Sequence, residues 1–208
     1  MPITYRQEVY RKLIHLSSLW MPVFVLLVPR WWSFAVFAVL LAVTVAVEYG
    51  YYREWPVIHP LYDFFFGRML RDKPAGVKFQ LSGGPPVLAA AAMCVLLFPD
   101  PVHVFCAMTV MLLGDTAAAL IGRRWGETKF KNGKSMEGTL AFILVGWLII
   151  IFTGLFAGFS GREFAFGLAA VFLAAIAECH NKKLRIDDNF SIPLIIGIVL
   201  TVAQWFSR

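Results

Sequence analysis

Seven apolar stretches constrain this chain more than any other feature: about 13–28, 33–49, 80–98, 102–121, 139–159, 164–179 and 191–206. Each is close to the roughly 20 residues of helix that cross the hydrocarbon of a bilayer, somewhat fewer sufficing where charged and aromatic flanks anchor the ends. The composition agrees. Apolar residues make up 59% of the chain and charged residues 15%, against about 25% charged in soluble domains. The expected fold is an all-α integral membrane protein, a bundle of about seven transmembrane helices forming one polytopic domain over residues 1–208. No internal repeat or low-complexity tract interrupts it. Basic residues precede the first stretch as they would a signal peptide, yet Pro29, Arg30, Trp31 and Trp32 follow it instead of a small-residue cleavage site. The tryptophans suit an interfacial belt, so the segment is expected to stay.

Charge orients the bundle. Sixteen of the 19 Lys and Arg residues fall in the N-terminus and the 50–79, 122–138 and 180–190 connections. Seven spans put all four stretches on one side, which the positive-inside rule makes cytoplasmic, with the N-terminus inside and the C-terminus outside. The net charge of +6 is thereby accounted for by topology and calls for no nucleic-acid partner. Cys94, Cys106 and Cys179 lie in or at the ends of apolar spans without metal spacing and read as small buried hydrophobes. In the 50–79 connection, "PLYDFFFGRML" can place Leu61, Phe64, Phe65, Met69 and Leu70 on one helical face, an interfacial amphipathic helix. The outer connections are short and the inner ones long and polar, so chemistry is expected at the cytoplasmic face. The small size of the chain points to a bacterial or archaeal cell membrane.

Three groups of residues could carry that chemistry. Asp115 sits among apolar residues near the end of the fourth span, where a carboxylate is costly unless paired or wet. Gly114, Ala118, Gly122 and Gly126 recur every four residues beside it; such a stripe either admits a neighbouring helix or leaves room for a ligand. The second group is the loop "RRWGETKFKNGKSMEG", which holds Arg123, Arg124, Lys129, Lys131 and Lys134 among glycines. Gly133-Lys134-Ser135 has the look of a P-loop tail, but Thr128 occupies the position of the required glycine, so this is no Walker loop. Its arginines, lysines and glycines nevertheless suit phosphate oxygens, and the amides opening the next helix can face an anion. Ser135 there also reads as a plain helix cap. The third group is Asp187-Asp188-Asn189, hard oxygen ligands of the kind Mg²⁺ prefers when shared with phosphates, or an Asx turn before a helix. Glu178, nine residues earlier, can join them.

Together "GDTAAALIGRRWGETKF", "GKSMEGTLAF" and "IDDNFSIPL", in that order, resemble the CTP-dependent polyprenol kinase family, which includes dolichol kinase, phytol kinase and the CTP-using diacylglycerol kinase. They are similar, more distantly, to phosphatidate cytidylyltransferases. "RKLIH", with Arg11, Lys12 and His15, resembles the family's N-terminal element. The resemblance implies transfer of the γ-phosphate of CTP to the hydroxyl of a membrane lipid alcohol, with Mg²⁺ as cofactor. It implies a nucleotide site of Gly122, Arg123, Gly126, Lys129, Lys134, Ser135, Glu137 and Gly138. Asp115, Asp187, Asp188 and Asn189 would hold the metal, and Asp115, Asp188, Arg123 and Lys134 would carry catalysis. The chain departs from the pattern near Lys73, where many relatives place an acidic residue. A cytidylyltransferase making a CDP-lipid and a transporter or scramblase are the competing readings. Against the transporter stand the missing repeat and the gathering of polar residues on one side.

Overall fold

The computed structural model describes residues 5–66, 82–130, 133–184 and 187–207. Helices account for nearly all of them: α1 (Tyr5–Ser17), α2 (Trp20–Leu27), α3 (Arg30–Tyr52), α4 (Ile58–Phe66), α5 (Gly84–Leu97), α6 (Pro101–Thr109), α7 (Asp115–Arg124), α8 (Met136–Ala157), α9 (Gly161–Leu184) and α10 (Asp188–Ser207). Among the described residues there is no strand, only an isolated bridge between Lys129 and Ser135. Among the described residues four helical stretches are long and apolar enough to cross a membrane: Arg30–Tyr52, Pro101–Arg124, Met136–Ala157 and Asp188–Ser207. Helix α5 is a shorter apolar helix. Helix α9, though 24 residues long, brackets its apolar middle with Arg162, Glu163 and Glu178. The protein is an all-α membrane protein.

The first expected span is not one helix. It divides into α1 and α2, and the cause is Pro22. A proline has no N–H to give the carbonyl four residues back, and its ring crowds that carbonyl; here that residue is Ser18. The chain tightens instead through bonds three residues apart, Ser18 N to His15 O at 3.1 Å, Leu19 N to Leu16 O at 3.0 Å and Met21 N to Ser18 O at 2.9 Å.

Pro101–Arg124 is the central helix, with 61% of its apolar stretch buried against 22–33% in the other three. Val110, Met111 and Leu112 from it pack with Phe37, Phe142, Ile150, Ile192, Ile196 and Leu200 in the core. A π-turn at Val110–Gly114 separates α6 from α7, and the Thr116 hydroxyl bonds the Leu112 carbonyl at 2.7 Å beside it.

Contacts sort the helix ends into two groups. At one, Arg30 donates to the Val95 carbonyl at 2.8 Å, Gln204 to Asp100 at 2.7 Å, and Arg162 to the Phe206 carbonyl at 2.6 Å. At the other lie the end of α3 and the start of α5, joined by Ser82 N to Glu48 Oε2 at 2.8 Å, together with α1, the end of α7 and the starts of α8 and α10. Helix α4 packs on the end of α3, with His59 stacked on Tyr51 at 4.7 Å. Its Leu61 and Phe64 are exposed, while Met69 and Leu70 of the expected interfacial face lie outside the described residues, as does the side chain of Phe65.

Candidate active site

Helix α1 is amphipathic in the inverted sense for a soluble protein. Glu8, Lys12 and His15, spaced to share one face, point inward, and Tyr10, Leu13 and Ile14 are exposed. Lys12 is 2% exposed, and its ammonium contacts Asp115 Oδ2 in a short ion pair. His15 Nε2 lies 3.6 Å from the same oxygen. Asp115 is the first residue after the π-turn. Such turns change the phase of a helix and recur at functional sites; this one aims the carboxylate at α1.

Lys134 arrives from the basic loop, which folds as a small hairpin. Phe130 N bonds Lys134 O at 2.8 Å, Gly133 N bonds Phe130 O at 2.9 Å, and Met136 N bonds Thr128 O at 2.9 Å. Gly133 takes φ +87°, in the left-handed region that suits glycine. Lys131 lies outside the described residues. The Lys134 ammonium reaches Glu178 Oε1 on α9 at 3.0 Å and Asp188 Oδ2 on α10 at 3.2 Å, and the Glu178 carbonyl at 2.6 Å. Burial lowers its pKa, but Glu178 and Asp188 outweigh that and raise it above the usual value.

Asp115, Glu178 and Asp188 thereby converge, each offering one carboxylate oxygen with all three atoms within 4.8 Å of one another. Glu178 is 4% exposed, and its Oε2 is buried with no hydrogen-bond partner. Three hard oxygens and an orphaned buried acceptor are the donor set a Mg²⁺ ion takes; the residues fit the ion.

Other expected site residues hold the local structure together. Asp187 Oδ1 accepts from Asn189 N at 2.9 Å and Asn189 Nδ2 at 2.7 Å, closing the turn into α10, and Asp187 is not among the three converging carboxylates. Ser135 caps α8, its Oγ accepting from Gly138 N at 3.1 Å. Glu137 Oε1 accepts from Thr128 N at 3.0 Å and fastens the hairpin. The glycine stripe meets protein: a Cβ on Gly122 would stand 2.7 Å from Ser135 Oγ and one on Gly126 2.6 Å from Ser135 Cβ, while on the facing helix one on Gly138 would stand 2.7 Å from the Ala118 carbonyl. Of the two readings of the stripe, close helix approach is the one this packing follows. Lys129 is exposed on the hairpin. Arg123, at the end of α7, lies 3.4 Å from Glu8 Oε2. Glu8 is absent from the residues expected above, although its spacing to Lys12 and His15 was available in the sequence.

No family model matches the chain, and no solved structure matches it. It is 28% identical over 195 residues to an uncharacterized protein of Rickettsia prowazekii, covering 94% of each. It is 31% identical over 164 residues to the CTP-dependent diacylglycerol kinase 1 of Schizosaccharomyces pombe, covering 71% of this chain and 70% of that protein. With the phytol kinase of Synechocystis it shares 36% identity over 98 residues, 45% of this chain and 41% of that one.

Proposed function

The chain belongs to the family of membrane lipid kinases represented by the CTP-dependent diacylglycerol kinase and the phytol kinases, and from that membership we propose that it moves the γ-phosphate of CTP to the hydroxyl of a membrane lipid alcohol. The observation that carries the reading is the meeting of Asp115, Glu178 and Asp188 with Lys12 and Lys134 at one end of a membrane bundle. Phosphoryl transfer asks little more of a protein than positioning, charge neutralisation and a base for the accepting hydroxyl. The positive-inside bias of the basic connections supports placing this end at the cytoplasmic leaflet, and the small size of the chain supports a prokaryotic cell membrane.

Asp115, Glu178 and Asp188 would hold Mg²⁺, which when bound neutralises phosphate charge. Lys134 and Arg123 would steady the phosphoryl oxygens. The acceptor oxygen forms its bond to the γ-phosphorus as the bond to the β–γ bridging oxygen breaks. CDP leaves, and the hydroxyl proton passes to Asp115 or Asp188. The acceptor hydroxyl stays at headgroup depth, its chain among the lipid-facing helices.

The test is purified protein in lipid micelles with Mg²⁺ and CTP labelled at the α- or the γ-phosphate. Farnesol, geranylgeraniol, phytol, a long polyprenol, diacylglycerol and phosphatidic acid are offered one at a time. γ-label in a lipid product is expected with an alcohol. α-label appearing only with phosphatidic acid would make the protein a cytidylyltransferase, and no labelled lipid would return it to transport. In the same assay Asp115→Asn and Asp188→Asn are each expected to lose at least about a hundredfold in turnover; full activity in either removes that residue from the mechanism.

A further inference from the structure

Glu8 has no part in the chemistry just described, yet it is 2% exposed. Its carboxylate joins two elements. Oε1 accepts from Arg11 Nη2 on its own helix at 2.5 Å, and Oε2 lies 3.4 Å from Arg123 Nη2 at the end of α7. A buried carboxylate is costly to keep unless it is paired, and one arginine would pair it. Two arginines on one carboxylate do something more: guanidiniums that would repel each other are held at a fixed separation by the negative charge between them. Both keep surface, their side chains being 59% and 36% exposed. Arg11 is also next in sequence to a residue of the carboxylate group's surroundings. Lys12, which follows Arg11, touches Asp115. Burial lowers the Arg11 pKa, but Glu8, and after it the charges of Asp115 and Asp187, bring it above the ordinary value.

We propose that Glu8 is a positioning residue that holds Arg11 and Arg123 side by side as a seat for the phosphate chain of the nucleotide. Planar guanidinium forks match phosphate oxygens two at a time, and a pair supplied by two different helices requires that their relative placement be set before the ligand arrives. The identity of the nucleotide rests on the kinase reading; the geometry of the seat does not.

Glu8→Gln keeps the shape and removes the charge between the arginines. With protein in detergent micelles, the KM for CTP and the calorimetric Kd for CTP with Mg²⁺ are both expected to rise roughly tenfold or more, with the KM for the lipid alcohol unchanged. Glu8→Asp should recover part of the loss. In an Arg123→Ala background, Glu8→Gln should weaken CTP binding far less than it does alone, because the two changes act on one interaction. If Glu8 merely bolts α1 to α7, Glu8→Gln lowers thermal stability and leaves the folded protein's KM and Kd for CTP unchanged, and the inference is overturned. Should the wild type bind CTP but transfer no label, the kinase reading falls while the Kd shift still decides the role of Glu8. A wild type that binds neither CTP nor inorganic triphosphate would overturn the seat.

Discussion

Lys134 is the residue on which most depends, because one ammonium serves two carboxylates from two helices. Removing one partner of a buried pair leaves the other charge uncompensated, which costs several kcal/mol; with a quarter of the Lys134 side chain exposed, Lys134→Met should destabilise by about 2 kcal/mol. Millimolar Mg²⁺ should restore more thermal stability to this variant than it adds to the wild type, because the cation replaces the missing charge among the same oxygens. Equal Mg²⁺ effects on the two unfolding temperatures would separate the metal from this cluster. The raised pKa carries a sign as well. The pair contributes in full below the unfolded lysine's value, near 10.5, and is lost only as pH climbs through the higher folded value. Any alkaline loss of activity below about pH 9 therefore has another origin, and wild type and Lys134→Arg should share that limb of the pH–rate profile. Asp115, Asp188 and Lys134 were legible in the sequence because charged residues are scarce beside apolar spans and their presence there demands a partner. Which partner was not. That Glu178 could join Asp188 was readable from their spacing, but its meeting with Asp115, 63 residues away, comes from the packing of three helices that no local spacing encodes, and the Glu8–Arg123 contact hides for the same reason.

Among the elements, the α1–α2 junction shows how a backbone defect places a side chain. Pro22 denies Ser18 its helical partner, and the tight turn that results sets the direction of α1 and the position of Lys12. Pro22→Ala returns an N–H to that turn. The two helices are expected to merge, with thermal stability unchanged or higher and turnover lowered at least about tenfold as Lys12 loses its register on Asp115. Unchanged turnover would show that the break has no bearing on the site. The seven apolar segments were visible in the sequence, and their cores fall within the observed helices apart from the divided first segment and the undescribed start of the third. The division was not foreseen, because the apolar run from Leu13 to Val28 continues across it without a change of character. The glycines were recognised as a stripe, but their occupant, the Ser135–Gly138 corner of α8, is a matter of tertiary approach.

For the molecule as a whole, the two groups of helix ends make the topology testable. In a background with Cys179 replaced, a cysteine at Lys129 should react with a membrane-impermeant maleimide only in inverted vesicles. A cysteine at Arg162 should react in intact cells. The opposite pattern would invert the bundle and move the three carboxylates to the outer face. Alternation along the chain was legible because basic residues gather in every second connection, a bias that survives any uncertainty about where a helix begins.

The π-turn at Val110–Gly114 has a consequence for how such a chain can vary. It is equivalent to one residue inserted into a continuous helix, and one residue turns whatever follows by about 100°. The half before it answers to the core, the half after it to Asp115, and the turn lets each keep its own phase. Substitutions at the apolar core positions of Pro101–Thr109 thus answer to local packing, whereas a change of length anywhere in the five-residue turn acts as a frame shift in space: every core residue upstream stays seated while the carboxylate rotates off its partners.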